Sequence, residues 1–105
     1  MKLETESSIQ SAICDYLALR KHMFWRCNNV PAPLPGGGFR ALPKHTPRGL
    51  PDIIVIRDGW FIALEVKKKG GYQSKEQKEF EKSVLDAGGE YHVVRSIDDV
   101  REVGL

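Results

Sequence analysis

Ile9, Ala12, Ile13, Tyr16 and Leu17 recur at helical spacing over residues 7 to 20, with Thr5 or Ser7 available as N-cap and Glu6 in or near the first turn. The chain therefore opens on an amphipathic helix. Met23 to Cys27 is apolar and aromatic and reads as a short strand. Ile53 to Arg57 and Trp60 to Lys67 are two strands separated by Asp58-Gly59, the pair of residues that favours a type I′ hairpin turn. Ser74 with Gln77 three residues on forms a capping box, and the helix it opens runs through Phe80, Val84 and Leu85 to a stop at Gly88. Tyr91 to Arg95 is a last strand, and Ser96 with Asp99 opens a short terminal helix that packs through Ile97, Val100 and Val103. The order is αβββαβα. Both faces of the hairpin are apolar away from its open end, as in central strands covered on both sides, so the expected fold is α/β, a mixed central sheet flanked by helices.

Between the second and third elements the pattern breaks. From Asn28 to Pro51 six prolines surround the run Gly36-Gly37-Gly38, which neither helix nor strand interiors tolerate. A loop of this length in a compact domain binds something or is disordered. It carries Arg40, Lys44, His45 and Arg48, and it is read here as a flap that contacts substrate.

The hairpin turn fixes a register, and the register carries chemistry. With Arg57 opposite Trp60, Ile56 faces Phe61, Ile54 faces Ala63, and Asp52 faces Glu65. Directly opposed side chains sit about 4.5 to 5.5 Å apart at Cβ. Two carboxylates at that distance repel each other unless a cation lies between them. Oxygen ligands alone favour a hard ion, Mg²⁺ or Mn²⁺ over Zn²⁺. Lys67 falls on the face of Glu65, where an ammonium is able to orient a water and offset charge on a phosphate. Lys69 shares that face if the strand continues, and Lys68 points away. The bland alternative is a surface salt bridge between Lys67 and one carboxylate. The agreement of spacing, register and the basic run Lys67-Lys68-Lys69 favours a phosphodiester-cutting site.

Length and charge narrow the picture further. With 105 residues, one domain over residues 1–105 is expected, the loop at 28–51 included. Apolar runs are far shorter than a membrane span and the N-terminus lacks an apolar signal region, so no membrane is involved and the expected location is cytoplasmic, in a bacterium or a phage-infected host cell. Cys14 and Cys27 show no zinc-ligand spacing and read as reduced thiols, and His22, His45 and His92 assemble into neither a triad nor a zinc site. The net charge is only +2, yet no acidic residue lies between Asp15 and Asp52, a stretch that holds Arg20, Lys21, Arg26, Arg40, Lys44 and Arg48. A phosphate-rich partner fits that segment.

Pro51-Asp52, followed by Glu65-Val66-Lys67 with Glu65 thirteen positions after Asp52, resembles the PD-(D/E)xK nuclease pattern, whose core is also αβββαβ. More narrowly, Glu6 with Gln10, Gly49-Leu50-Pro51-Asp52, Ala63-Leu64-Glu65-Val66-Lys67, Gln77 and Val93-Val94-Arg95-Ser96 are similar to the virus-type replication-repair nuclease branch, VRR-NUC, over nearly the whole chain. The resemblance implies a restriction-endonuclease-like core, a metal held by Asp52, Glu65 and the Val66 carbonyl, Lys67 as catalytic lysine, Glu6 near the site through the metal's water shell, and Gln77 as an accessory residue. The residues themselves leave Glu6 as a helix-dipole partner and Gln77 as the capping partner of Ser74. Arg40, Lys44, His45, Arg48 and Lys69 are the DNA contacts expected.

The resulting expectation is a Mg²⁺-dependent, structure-selective DNA endonuclease without organic cofactor. One site per chain suggests a homodimer resolving four-way (Holliday) junctions, since two symmetric cuts need two sites. The alternatives are a flap endonuclease or nickase within a repair complex, and a non-catalytic nucleic-acid-binding module.

Overall fold

The computed structural model describes residues 4–27, 33–38 and 41–105. The elements follow the expected order: α1 (Glu6–Leu19), β1 (Met23–Arg26), β2 (Ile53–Arg57), β3 (Trp60–Val66), α2 (Lys75–Asp86), β4 (Glu90–Val94) and α3 (Ile97–Glu102). They build one four-stranded mixed sheet in the order β1-β2-β3-β4. The first three strands are antiparallel and β4 runs parallel to β3, with α2 as the crossover that a parallel pair requires.

The β2–β3 register is the one the turn predicts, from Arg57 opposite Trp60 to Ile53 opposite Leu64. Asp58 and Gly59 both take positive φ, 53° and 82°, as a type I′ turn demands. Two differences appear at the open end of the hairpin. The regular strand ends at Val66, and Lys68 to Gly71 form a turn closed by Gly71 N–H on the Lys68 carbonyl at 2.9 Å. Strand alternation therefore does not place Lys69 beside Lys67; Lys69 is an exposed turn residue. Asp52 also lies just outside the β2 ladder.

Alternation along β2 and β3 separates two apolar layers. Ile53, Val55, Ile62, Leu64 and Val66 pack with Ile9, Ile13 and Leu17 of α1 and Val100 of α3. On the opposite face Ile54, Ala63 and Tyr91 pack with Val84 of α2, and Cys27, Ile56, Phe61, Phe80 and Val93 border them. Glu65, flanked by Leu64 and Val66 of the first layer, consequently points to the α2 face. No helix among the described residues is long and apolar enough to cross a membrane.

Both long helices begin with reciprocal caps. Thr5 and Ser8 exchange side-chain and backbone bonds at the start of α1, which settles the N-cap on Thr5. Ser74 and Gln77 do the same for α2. Asp99 behaves differently. Its backbone N–H goes to the Ser96 hydroxyl, but its carboxylate accepts from Arg95 N–H, one residue before the cap, at 2.8 Å.

Candidate active site

Asp52 is fixed from both neighbouring strands. Its backbone carbonyl accepts Cys27 N–H at 2.8 Å, one step beyond the β1–β2 ladder, and its carboxylate Oδ2 accepts Val66 N–H at 2.8 Å. The ladder stops too early for Asp52 to pair with Glu65 through the backbone. The carboxylate instead bridges to the strand that carries Glu65 and stays close enough for its charge to act on Glu65.

Glu65 is 1% exposed, the one buried charged residue among the described residues. Its two oxygens are treated unequally. Oε1 accepts from the Gln77 amide at 2.9 Å and lies 3.6 Å from the Lys67 ammonium. Oε2 is buried with no hydrogen-bond partner. Burial first, then the Asp52 charge, push the carboxyl up to about 8, with Lys67 pulling the other way. The Cys27 thiol, one residue past the end of β1, is raised by burial first and by the Asp52 charge second. Cys14 and Cys27 are both free and partly buried.

Gln77 serves two partners at once. Its Oε1 accepts Ser74 N–H at 2.8 Å and its Nε2 donates to Glu65. The capping bond aims the amide so that its NH₂ faces the carboxylate, so the helix-capping and site readings describe one arrangement. The first turn of α2 reaches this depth because residue 49 lacks a side chain. A Cβ on Gly49 (φ +72°) would lie 2.3 Å from the Glu76 carbonyl oxygen and 2.7 Å from the Gln77 nitrogen. The segment leading to Asp52 thus rests its backbone on the turn that positions Gln77. Sequence reading passed over this role of Gly49, whose only local signal is the glycine itself.

Two further side chains meet the turn that follows Lys67. Glu6, the first residue of α1, has its Oε2 3.3 Å from Lys68 N–H and fastens the backbone that follows Lys67. Arg95 donates to the Gly71 carbonyl at 3.1 Å and steadies the same turn. Lys44, His45 and Arg48 are exposed on the loop before Gly49, His45 in a turn with φ 65°. Arg40 lies outside the described residues. A cleft of about 310 Å³ between α1 and the start of α3, lined by Glu4, Ser8, Ile9, Ala12 and Arg95 among others, includes neither Asp52 nor Glu65.

The donor set at the carboxylates fits a hard divalent cation. Glu65 Oε2 is orphaned next to Asp52, and an ion between them would relieve both the missing partner and the repulsion. Among the described residues no three His, Cys, Asp or Glu side chains are placed to hold a metal ion. Two carboxylates would thus need a backbone carbonyl and water to complete the shell, an arrangement that suits Mg²⁺, which keeps several waters.

A solved structure titled "VRR_NUC domain protein" matches this chain with a TM-score of 0.62 at 21% identity, over 97% of this chain and 86% of that one. The chain thus has the fold of a VRR-NUC domain, a restriction-endonuclease-like α/β core. No family model and no curated protein matches the sequence.

Proposed function

We propose that the chain is a metal-dependent nuclease of the VRR-NUC class that hydrolyses phosphodiester bonds in branched DNA. The observation that carries this reading is the buried pair Asp52 and Glu65, with one Glu65 oxygen unanswered and Lys67 alongside, on a fold shared with a VRR-NUC domain. Asp52, Glu65 and the Val66 carbonyl would hold Mg²⁺, with Mn²⁺ able to substitute. A bound divalent cation supplies Lewis acidity toward the phosphate and toward water.

The chain's own residues do the rest. Lys67 is only 12% exposed along its side chain, and its ammonium is held near Glu65 Oε1, where it is available to a phosphate oxygen as negative charge develops there. Gln77 anchors Glu65 through Oε1 and leaves Oε2 open to a cation. The Val66 N–H does the same for Asp52. Glu6 acts through the backbone after Lys67, as a positioning residue. Lys44, His45 and Arg48, with Arg40 and Lys69, contact the DNA backbone, and recognition follows shape more than base sequence. The favoured substrate is a four-way junction cut by a homodimer, one site per strand.

The test is a cleavage assay with Mg²⁺ on four-way, flap, splayed and linear duplex DNA, with Lys67→Ala as control and the solution mass measured alongside. Paired incisions in the junction by a particle of twice the chain mass are expected, with Lys67→Ala slower by about a hundredfold or more. Equal cutting of all four substrates would sink structure selectivity. No cutting in either Mg²⁺ or Mn²⁺ would leave a binding module without catalysis.

A further inference from the structure

Tyr72 is 86% exposed, the most exposed large hydrophobic side chain among the described residues. A ring in water adds nothing to the core, and single exposed aromatics are ordinary on protein surfaces. Its backbone setting is not ordinary. The residue before it, Gly71, is held through its N–H by the Lys68 carbonyl and through its carbonyl by Arg95. The residue after it, Gln73, donates its side-chain amide to Glu81 at 3.2 Å and lies 3.5 Å from the Tyr91 hydroxyl. An ordered backbone therefore presents an unpartnered ring to solvent.

The position of the ring is constrained as well. The segment bearing Tyr72 begins at Lys67 and ends at Gln77, and both of those side chains converge on Glu65 Oε1. Five residues of chain reach at most about 17 Å, so Tyr72 stands within that distance of Lys67. On a nucleic-acid strand that is about five nucleotides or fewer at 3.4 Å each. The same segment carries the exposed Lys68, Lys69 and Lys75 against the single acidic Glu76, with no other large apolar side chain. A short, net-basic segment with one isolated exposed aromatic suits a π-faced, negatively charged polymer and not an apolar protein surface.

We propose that Tyr72 is a stacking platform for an unpaired nucleobase next to the cutting site, and so a determinant of selectivity for branched or frayed DNA. The inference rests on the nuclease reading for its meaning, though its binding readout does not depend on cleavage. Because Gly71 and Gln73 are already tied down, stacking orders little beyond the ring itself, which favours affinity.

The experiment compares Tyr72→Ala and Tyr72→Phe, each placed on Lys67→Ala so that DNA stays intact in Mg²⁺, using junction and flap DNA carrying 2-aminopurine at the unpaired or branch-point bases. With Tyr72 or Phe at this position the 2-aminopurine emission is expected to be quenched on binding. Tyr72→Ala loses the quench and weakens binding about five- to a hundredfold on these substrates, while affinity for fully paired linear duplex is unchanged. Unchanged emission and affinity in Tyr72→Ala would overturn the proposal, as would an equal loss on fully paired duplex. Incision by the unmodified chain is scored in parallel. Its absence overturns the nuclease reading alone, since the emission readout needs no cut strand.

Discussion

At the scale of single residues, Glu65 concentrates the physical tension of the molecule. A carboxyl buried among apolar neighbours and beside Asp52 holds its proton up to about 8, whereas the unfolded chain releases it near the ordinary 4.5. Between those values unfolding releases a proton, so raising the pH favours the unfolded state. In EDTA, thermal unfolding should shift down by about 5 °C or more from pH 5 to pH 8 and level off above it. Glu65→Gln should flatten that profile. Mg²⁺ should restore the lost stability most strongly near pH 8, because ligation requires the ionised carboxylate. A melting profile in EDTA that is flat with pH, or that rises toward pH 8, would remove this account of Glu65.

At the scale of elements, the site depends on how closely the segment entering β2 approaches the first turn of α2. Gly49→Ala meets backbone atoms of Glu76 and Gln77 and a positive φ together, so a loss of about 1–3 kcal/mol is expected from denaturant unfolding. Displacing that turn also moves Gln77 away from Glu65, and divalent-metal affinity measured calorimetrically should fall with it. Gly59→Ala is the matched control. Gly59 also has positive φ, but nothing lies within 4 Å of its added Cβ, so the strain of about 1–2 kcal/mol stays in the turn and metal affinity is preserved. Equal metal binding by both variants would mean that Gly49 does not position the site. The hairpin was legible from sequence because a two-residue turn sets the register of the strands beside it. The Gly49 contact was not, since the residues that meet it are 27 and 28 positions away.

At the scale of the whole molecule, charge is divided between a basic loop and a mildly acidic remainder. Lys44 and Arg48 stand exposed on the loop just before the segment that carries Asp52. If they contact phosphates, Lys44→Ala should weaken binding about equally across DNA structures and lower the slope of log affinity against log salt by about 1. A variant whose salt slope is unchanged would place DNA elsewhere. This behaviour separates the loop from Tyr72, whose loss is expected on unpaired bases alone.

The sequence by itself determined the order of the elements, the hairpin register and the candidate trio Asp52, Glu65 and Lys67, because helix periodicity, strand alternation and a two-residue turn are local rules written in neighbouring residues. It also showed Gln77 as a capping residue, but not that the same amide holds Glu65, since that bond joins a helix to a strand after both have formed. Only the tertiary structure decided that Asp52 binds Val66 N–H, that β3 ends before Lys69, that Glu6 and Arg95 fasten the turn after Lys67, and that one Glu65 oxygen is left without a partner. Each of these depends on where a side chain stops relative to a remote backbone group, a distance set by the packing of helices on both faces of the sheet.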